Sequence, residues 1–287
     1  SIEKKNFKNF KGVIVGDIMN PLSRAVLGGF KNINKTAITF DHGTTINSYN
    51  DVVNAIFLLN STHHVCYNEV SKQNLKIIIK KSSFASLLST TKIIKNKKNF
   101  HSQFFDKKNE LFKKENKDKL RFLIMGFPMG SLIYPGAPGY NYFNKINLEI
   151  SLAKFLKSQN YEVIYKIHPE RVSPTLNIIN EYVDEVLTEN FENLDYKKFD
   201  LIIHTYTRGS TFMYTISKNF NIILLDEDLR KSEKKFQKFL KRRCYILKSY
   251  SKNNYTNFNE KSLLNIIKNF KTDNISLKKN IVKKYLK

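Results

Sequence analysis

The feature that most constrains the fold is a regular alternation of strand-like and helix-like segments between residues 120 and 226. Apolar runs rich in β-branched and aromatic residues predict four strands, and amphipathic stretches between them predict three helices. The strands are LRFLIMGFP, YEVIYKIHP, FDLIIHTYT and FNIILLD, and the helices are NYFNKINLEISLAKFLKSQ, SPTLNIINEYVDEVL and STFMYTISKN. Such an alternation predicts a parallel sheet with helices on both faces.

The N-terminal part repeats this pattern in shorter segments. KGVIVGDIMN and TAITFDHGTT are predicted strands, and the helix PLSRAVLGGFKN between them begins with a proline in its first turn. A further strand is predicted to end at Tyr67, with Ser71 as the candidate N-cap of the next helix. The segment from Lys92 to Lys119 is dense in charge and poor in strand formers, so we interpret it as a connection between domains.

These patterns divide the chain into a partial N-terminal α/β domain over residues 1–95, a basic linker over 96–118, and a C-terminal α/β domain over 119–287. The C-terminal end, from Asn259 onward, is predicted to be helical and strongly basic. The chain begins with Ser1 and not with methionine. We therefore expect an N-terminal portion to be missing.

The charge of the chain favours anionic partners. Lys and Arg number 49 against 25 Asp and Glu, which leaves a formal net charge of +24. Such a charge attracts the phosphates of nucleic acids, anionic lipids or nucleotide ligands. The lysines are scattered, however, and the chain is also rich in asparagine and isoleucine, a composition typical of an AT-rich genome.

Cysteine usage and hydropathy indicate a reduced intracellular protein. Cys66 and Cys244 are far apart in apolar surroundings and lack metal-ligand spacing. No run reaches the roughly 18 apolar residues of a membrane span. No positively charged leader precedes an apolar segment.

Polar residues follow several predicted strands, at the place where open parallel sheets bind ligands. Candidate residues for this crevice are Gly43 after the second strand, Gly126 after the strand LRFLIM, and His204 at the end of LIIH. Each has an ordinary structural explanation. Their shared placement predicts one common edge of a sheet for Gly126, His168 and His204.

His168 lies in the stretch YKIHPER, where a strand ends in charged residues. Lys166 and His168 are two residues apart and therefore point to the same side of the strand, so both can meet one anion. Pro169 restricts the backbone just after the histidine. Glu170 and Arg171 complete this candidate phosphate-binding stretch. A polar strand end without a ligand is the alternative.

The segment TRGST opens a helix after a strand. Free backbone N–H groups and the positive end of the helix dipole favour a phosphate there, and Ser210 and Thr211 add hydroxyl donors. Arg208 and Gly209 beside them favour a ligand over simple helix capping. The chain has neither a G-x-G-x-x-G dinucleotide motif nor a P-loop.

His42 is the candidate general base, because Gly43 behind it permits a close approach of the backbone to a ligand. No metal site is predicted. The acidic residues of LLDEDLR lack histidine or cysteine partners, and His63 and His64 face opposite ways on a strand.

Taken in order, TFDHGTT, FLIMGFPMGS, YKIHPER and DLIIHTYTRGSTFMYTISKNFNIILLD resemble the motif series of bacterial surface-polysaccharide and teichoic-acid transferases of the GT-B class. The CDP-glycerol glycerophosphotransferases, polysialyltransferases and capsule Kdo transferases are the most similar in pattern. The resemblance covers roughly residues 12–228 and depends on order and spacing. It implies a GT-B-like fold of two Rossmann-type domains with parallel sheets, the N-terminal one incomplete.

The resemblance also implies roles for the residues that match. His168, with Lys166 nearby, would contact the phosphates of the donor nucleotide, and Ser210 and Thr211 would hold the same phosphates. His42 would face the cleft from the other domain as a base or acceptor-site residue. Two departures are that Ser210-Thr211 stands in place of paired serines, and that His204 stands where the group often has a less reactive residue.

The sequence thus predicts a cytoplasmic enzyme, a glycosyltransferase or polyol-phosphate transferase, acting in bacterial cell-surface polysaccharide assembly. Its partners would be a nucleotide-activated donor and a polysaccharide or lipid-linked acceptor, with no cofactor and no metal required. The basic segments suggest peripheral attachment to the anionic inner face of the membrane. The alternatives are a basic nucleic-acid-binding α/β protein, for which no recognised nucleic-acid module is present, and a catalytically inactive GT-B-like fragment.

Overall fold

A computed structural model describes residues 9–16, 20–41, 57–66, 69–83, 85–96, 119–127, 142–169, 172–207, 210–218, 220–229, 234–252 and 255–270. The chain divides into two compact units. Each unit is built on its own parallel sheet. The predicted α/β class, with two Rossmann-type domains built on parallel sheets, is confirmed.

The first unit contains a parallel sheet of four strands, which are neighbours in the order in which they occur in the chain. The strands are β1 (Gly12–Val15), β2 (Thr36–Phe40), β3 (His63–Cys66) and β4 (Lys92–Lys95). The helices are α1 (Pro21–Asn32), α2 (Glu69–Lys81) and α3 (Ala85–Leu88). As predicted, α1 begins at a proline, and the Asn20 side chain caps it by accepting a 2.8 Å hydrogen bond from the Leu22 N–H.

The second unit contains a parallel sheet of six strands. They are β5 (Arg121–Met125), β6 (Glu162–Lys166), β7 (Glu185–Leu187), β8 (Leu201–His204), β9 (Ile222–Leu225) and β10 (Tyr245–Leu247). A separate antiparallel hairpin follows, made of β11 (Ser249–Lys252) and β12 (Tyr255–Phe258). The helices are α4 (Tyr142–Ser158), α5 (Val172–Ile179), α6 (Ser210–Ser217), α7 (Asp226–Leu229), α8 (Lys234–Arg243) and α9 (Glu260–Asn269).

The strand order of this sheet is β7-β6-β5-β8-β9-β10. The chain therefore builds outward from β5 through β6 to β7, returns, and builds outward in the other direction from β8. This is the doubly wound order in which ligands bind where the winding reverses, outside the carboxyl ends of the central strands. The reversal lies between β5 and β8.

Alternating residues of the central strands form the core on both faces of the sheet. In β5, Phe122 and Ile124 pack into a cluster with α4 and α9, while Leu123 and Met125 face a second cluster. This two-residue period is what a strand covered on both faces requires. Because both faces are packed, the strand ends at the carboxyl edge of the sheet are held in fixed positions.

Three local predictions were wrong. Residues 92–95, assigned to the charged connection, form β4, which pairs with β3 in parallel. The predicted helix over SPTLNIINEYVDEVL ends at Ile179, and its last residues form the edge strand β7. Ser71 does not cap α2, because the helix already begins at Glu69.

Both cysteines, Cys66 and Cys244, are buried and unpaired. Within the part of the chain that the structure describes, no helix has the length and apolar character needed to cross a bilayer.

Candidate functional site

The carboxyl edge of the second sheet carries predicted site residues at the ends of three adjacent strands, β5, β6 and β8. Met125 at the end of β5 pairs in register with Lys166 of β6 and with His204 of β8. Gly126 and His168 follow directly beyond these positions. The predicted common edge for Gly126, His168 and His204 is therefore present.

A cleft of about 170 Å³ opens at this edge. It brings together four predicted residues, Gly126, Lys166, His168 and Thr211. Its other walls are formed by Met125, Ile167, Pro169, Asn190, Phe191, Glu192 and Tyr206. This volume is smaller than the roughly 300–1,000 Å³ of a pocket that encloses a whole ligand, so the cleft can enclose only part of one.

Gly126 forms the floor of the cleft, where the backbone passes close to its neighbours. A Cβ atom built on Gly126 would lie 2.5 Å from the Tyr165 hydroxyl and 2.8 Å from the Lys166 carbonyl oxygen. The Gly126 N–H donates a 2.8 Å hydrogen bond to that same carbonyl. Only glycine fits this position without displacing β6.

Lys166 is a buried lysine at the end of β6, with 3% of its surface exposed. Its ammonium donates a hydrogen bond to the Ile167 carbonyl. Burial lowers the pKa of Lys166, while the nearby carboxylates of Glu189 and Glu192 oppose that change. A desolvated cation at the cleft wall interacts more strongly with an anionic ligand than an exposed lysine would.

Helix α6 starts at the cleft. Its first residue is Ser210, and Thr211, which is half-buried, lines the cavity. The other end of α6 is held by the buried Arg243, whose guanidinium donates hydrogen bonds to the carbonyls of Ile216 and Phe220 and to two others, Thr215 and Lys218. This arrangement anchors a helix whose N-terminal turn, through Thr211, lines the cleft.

His204 lies beneath the cleft and not on its surface. Its side chain is fully buried, and burial lowers its pKa to about 3. Nε2 and the Thr215 hydroxyl share a 2.8 Å hydrogen bond, while Nδ1 has no hydrogen-bond partner among the described residues. His204 is therefore a neutral imidazole that supports α6 at any pH in the physiological range.

A buried carboxyl group ties together the strands on both sides of the reversal. Glu149 of α4 accepts hydrogen bonds from the Tyr165 hydroxyl at 2.6 Å and from the Thr205 hydroxyl at 2.7 Å. It also accepts one from the Phe127 N–H at 3.1 Å. Burial raises the pKa of Glu149 to about 7, although these hydrogen bonds and Lys145 favour the charged form.

Lys145 extends this network toward the next strand. Its ammonium donates to the Thr205 carbonyl at 3.0 Å and to a Glu227 carboxylate oxygen at 2.6 Å. The neighbouring Asp226 accepts hydrogen bonds from the N–H and hydroxyl of Ser249. Two acidic residues of the LLDEDLR stretch, Asp226 and Glu227, thus make hydrogen bonds within the protein. The sequence predicted no metal role for this stretch.

Sequence reasoning did not identify Glu149, Lys145 or Tyr206 as part of this site. A signal was present for the first two. Lys145 and Glu149 are four residues apart and occupy the same helical face as Leu152 and Leu156, which is otherwise apolar. Charged residues within a buried stripe indicate an internal polar network.

Several predicted residues lie outside the described part of the chain. These are His42, Gly43, Glu170, Arg171, Arg208 and Gly209, together with the side chain of Ser210. Their roles stay predictions. His42 and Gly43 directly follow Asp41, which is described and buried at the carboxyl end of β2.

A larger depression of about 470 Å³ lies along β7. Arg121, Glu185 and the segment around Lys197 line it, with charges of both signs. Arg121 and Glu185 mark the amino ends of their strands. Doubly wound sheets bind ligands at the carboxyl ends, so the smaller cleft is the better candidate site.

Comparisons with known proteins leave the function open. No protein-family model and no curated protein matches the chain. Among solved structures, one match is a protein named as a UDP-N-acetylglucosamine 2-epimerase from Listeria monocytogenes, with a TM-score of 0.46 and 12% identity over 94% of this chain and 69% of that one. A second is a protein called MT0777, with a TM-score of 0.33 and 15% identity over 54% of this chain and 98% of that one. At these TM-scores neither likeness assigns an activity to this chain.

Proposed function

We propose that the second unit binds a nucleotide-activated donor and that the protein transfers a glycosyl or polyol-phosphate group from it to an acceptor hydroxyl. The observation that carries this proposal is the cleft at the winding reversal, which is lined by Lys166, His168 and the start of α6. A lysine ammonium, a histidine side chain that can donate a hydrogen bond, and a helix N-terminus at one point form a site for phosphate.

The donor phosphates would lie against Lys166, His168 and Thr211. Gly126 lets the phosphate approach the backbone closely. Glu192 and Asn190 line the same cavity and offer oxygen acceptors to ribose hydroxyl groups. Ser210, Arg208 and Arg171 would add donors and positive charge if their predicted roles hold.

The reaction is a displacement at the donor. The acceptor oxygen forms a bond to the sugar carbon or to the polyol-phosphate phosphorus as the bond to the leaving nucleotide's phosphate oxygen breaks. The proton of the acceptor hydroxyl passes to a base, for which His42 is the candidate. The negative charge that develops on the leaving nucleotide is stabilised by Lys166, His168 and the N–H groups of α6.

Fixed cations and helix N–H groups supply the stabilisation of the leaving group, so this step needs no resident metal. The assignment to cell-surface polysaccharide assembly depends on the order of the motifs TFDHGTT, YKIHPER and TRGST, which resembles that of the bacterial transferases. The acceptor would accordingly be a polysaccharide or a lipid-linked sugar.

A thermal-shift panel of CMP, CDP, UDP and GDP tests the proposal. A ligand present at about 100 times its Kd stabilises the folded state by about 2.7 kcal/mol, so a bound nucleotide raises the Tm measurably. We expect one of the four nucleotides to raise the Tm more than the others. Thr211→Ala should reduce the Tm increase that this nucleotide produces.

An oligonucleotide of unrelated sequence serves as the comparison ligand. If all four nucleotides leave the Tm unchanged while the oligonucleotide raises it with a steep dependence on salt, the donor-binding proposal is wrong and the nucleic-acid alternative stands.

A further inference from the structure

The first unit contains a buried cluster of three different side chains that the proposed transfer does not use. Asp41, His64 and Cys66 each place one potential ligand atom within 4.8 Å of the others. The three residues are 7%, 2% and 0% exposed. A carboxylate, an imidazole and a thiol in one enclosed space form a donor set of mixed hardness.

The sheet geometry produces this cluster. Strands β2 and β3 are parallel neighbours, with Phe40 opposite Val65, and the Asp41 N–H donates to the Val65 carbonyl. Asp41 therefore lies beside Cys66, just beyond β2. His64 and Cys66 are two residues apart on β3 and share a face of the sheet.

A second layer of contacts holds the candidate ligands. The Thr39 hydroxyl lies 2.9 Å from His64 Nδ1. The Ser71 hydroxyl, from α2, donates a 2.6 Å hydrogen bond to Asp41 Oδ2. The Phe57 ring packs edge-on against the imidazole, with 5.6 Å between ring centroids. Such outer contacts orient metal ligands in proteins and fix the tautomer of a ligating histidine.

We propose that Asp41 Oδ1, His64 Nε2 and Cys66 Sγ bind one zinc-class divalent ion. The inference goes beyond the transferase activity proposed above and does not depend on it. Thiolate and imidazole ligands favour zinc-class ions over magnesium or calcium. Three protein ligands leave one position of a tetrahedral ion for water or another donor.

The separation of the ligand atoms suits this ion after a small adjustment. His64 Nε2 and Asp41 Oδ1 are 2.9 Å apart, and ligand atoms around a tetrahedral zinc ion are about 3–4 Å apart, given bond lengths near 2.0–2.3 Å. An ion between them replaces the proton that now joins them. The Cys66 sulfur lies within 4.8 Å of both atoms, so a side-chain adjustment of about 1 Å or less brings it to a ligand separation.

The protons balance as follows. The Cys66 thiol releases its proton to solvent and binds as thiolate. With the ion bound, His64 Nε2 carries no proton and ligates the ion, while Nδ1–H donates to Thr39 Oγ1. Burial and the nearby Asp41 charge raise the pKa of the Cys66 thiol, and a cation between the two groups reverses the second effect.

A bound ion would join β2 and β3 at the carboxyl edge of the first sheet, next to His42 and Gly43 in sequence. Because the site is assembled by folding, binding would also stabilise the first unit. Sequence spacing did not reveal the cluster, since its members come from two strands and lie 23 and 2 residues apart.

The test is metal binding by the full chain after chelator treatment and dialysis. After zinc is added and excess zinc is removed, elemental analysis should find one zinc ion bound per chain. Cobalt(II) should produce intense visible absorption of a tetrahedral site and a near-ultraviolet sulfur-to-cobalt band. Cys66→Ser should lose that sulfur band, whereas Cys244→Ser, which changes the other buried cysteine, should keep it.

Asp41→Asn keeps the size of the side chain and serves as a second variant if Cys66→Ser unfolds. It should weaken zinc binding by at least tenfold, with circular dichroism used to confirm folding. Wild-type protein that takes up no zinc, or a sulfur-to-cobalt band that survives in Cys66→Ser and vanishes in Cys244→Ser, would overturn the proposal. In either case the cluster would be a hydrogen-bonded network only.

Discussion

At the scale of single residues, the candidate site depends on two positions, Gly126 and Glu149. An added methyl group at the first, or loss of a proton at the second, should destabilise the fold around the cleft. Gly126 lies against the hydroxyl of Tyr165, and that hydroxyl donates to Glu149. Glu149 in turn accepts from groups that follow β5 and β8. The floor of the cleft and the buried carboxyl are therefore one connected structure.

Gly126→Ala should destabilise the protein by about 1–3 kcal/mol, because the new methyl group collides with Tyr165 and with the Lys166 carbonyl. Urea denaturation measures the change in the free energy of unfolding. Gly28→Ala is the matched control, since a Cβ at Gly28 would meet only the Asn60 side chain at 3.5 Å. That change, inside α1, should stabilise by up to about 1 kcal/mol. Equal effects of the two substitutions would contradict the packing at Gly126.

Glu149 should make stability fall as pH rises. Its pKa is raised to about 7 in the folded state from an ordinary 4.5. Between these values the folded state binds more protons than the unfolded state, so the contribution is present at low pH and lost by about pH 7. The loss amounts to about 3 kcal/mol over that range.

Glu149→Gln removes this titration while keeping an oxygen acceptor for Phe127 and Thr205. The variant should therefore gain stability relative to wild type as the pH rises from 5 to 8, because only wild type loses stability over that range. Urea denaturation at several pH values measures the difference, and Glu181→Gln, at an exposed position, is the control. A difference that does not vary with pH would show that Glu149 titrates normally.

At the scale of elements, α6 is the helix that presents Thr211 to the cleft, and its opposite end is fixed by Arg243. The guanidinium satisfies carbonyl groups at the end of α6 and just beyond it. Burial lowers the pKa of Arg243, a change consistent with a cation held by carbonyl oxygens instead of water. The position of the end of α6 that lines the cleft thus depends on a residue at its other end.

Arg243→Lys should cost about 1–3 kcal/mol of stability, because a single ammonium cannot reach carbonyls that the planar guanidinium contacts together. Arg242→Lys, on the exposed side of the same helix, should have no measurable effect. Differential scanning calorimetry of both variants gives the comparison. A lysine tolerated at both positions would mean that the hydrogen bonds of Arg243 contribute little.

Long periodic elements were predictable from the sequence, and short or charged ones were not. The central strands LIIH and IILL are continuous apolar runs, as a sheet covered on both faces requires, and the helix α4 is a 17-residue segment without glycine or proline. Strand β4 reads KIIK, and its flanking lysines concealed two strand-forming isoleucines. Strand β7 has three residues and follows a helix without a glycine or proline between them.

The part of the candidate site that lies at the strand ends could be predicted together with the sheet. A parallel sheet places the ends of its strands together, so the motifs after β5, β6 and β8 could be assigned to one edge. Glu149 and Lys145 come from a helix that crosses beneath that edge. Their spacing places them on the buried face of that helix, but periodicity does not specify which strand ends that face meets.

At the scale of the whole molecule, the net charge of +24 attracts anionic surfaces over a distance set by the ionic strength. Helix α8 presents Lys234, Lys238, Lys241 and Arg242 to solvent while Phe236, Phe239 and Leu240 are buried. We propose that this helix and the basic C-terminal end attach the protein to anionic lipid, near the lipid-linked acceptor of the proposed transfer. Each basic residue near such a surface contributes about 1 kcal/mol.

Sedimentation with liposomes tests the membrane proposal. Recovery should be greater with anionic than with neutral vesicles at low salt, and it should fall as salt is added. Replacing Lys234, Lys238 and Lys241 with glutamine should reduce recovery more than replacing Lys72, Lys76 and Lys80 on α2. Equal recovery with both lipids, or equal losses in both triple variants, would contradict the membrane proposal. The excess of lysine would then reflect only the overall composition of the chain.

The most direct test of the central claim is calorimetric titration of the preferred nucleotide into wild-type protein and His168→Ala. Losing a charge-assisted hydrogen bond to phosphate costs about 1.5–3 kcal/mol, so His168→Ala should bind about tenfold to a hundredfold more weakly with its fold unchanged. His63→Ala, at the amino end of β3 in the other sheet, should bind as wild type does. Unchanged affinity in His168→Ala would contradict a donor site at this cleft and leave the histidine as a polar residue that ends a strand.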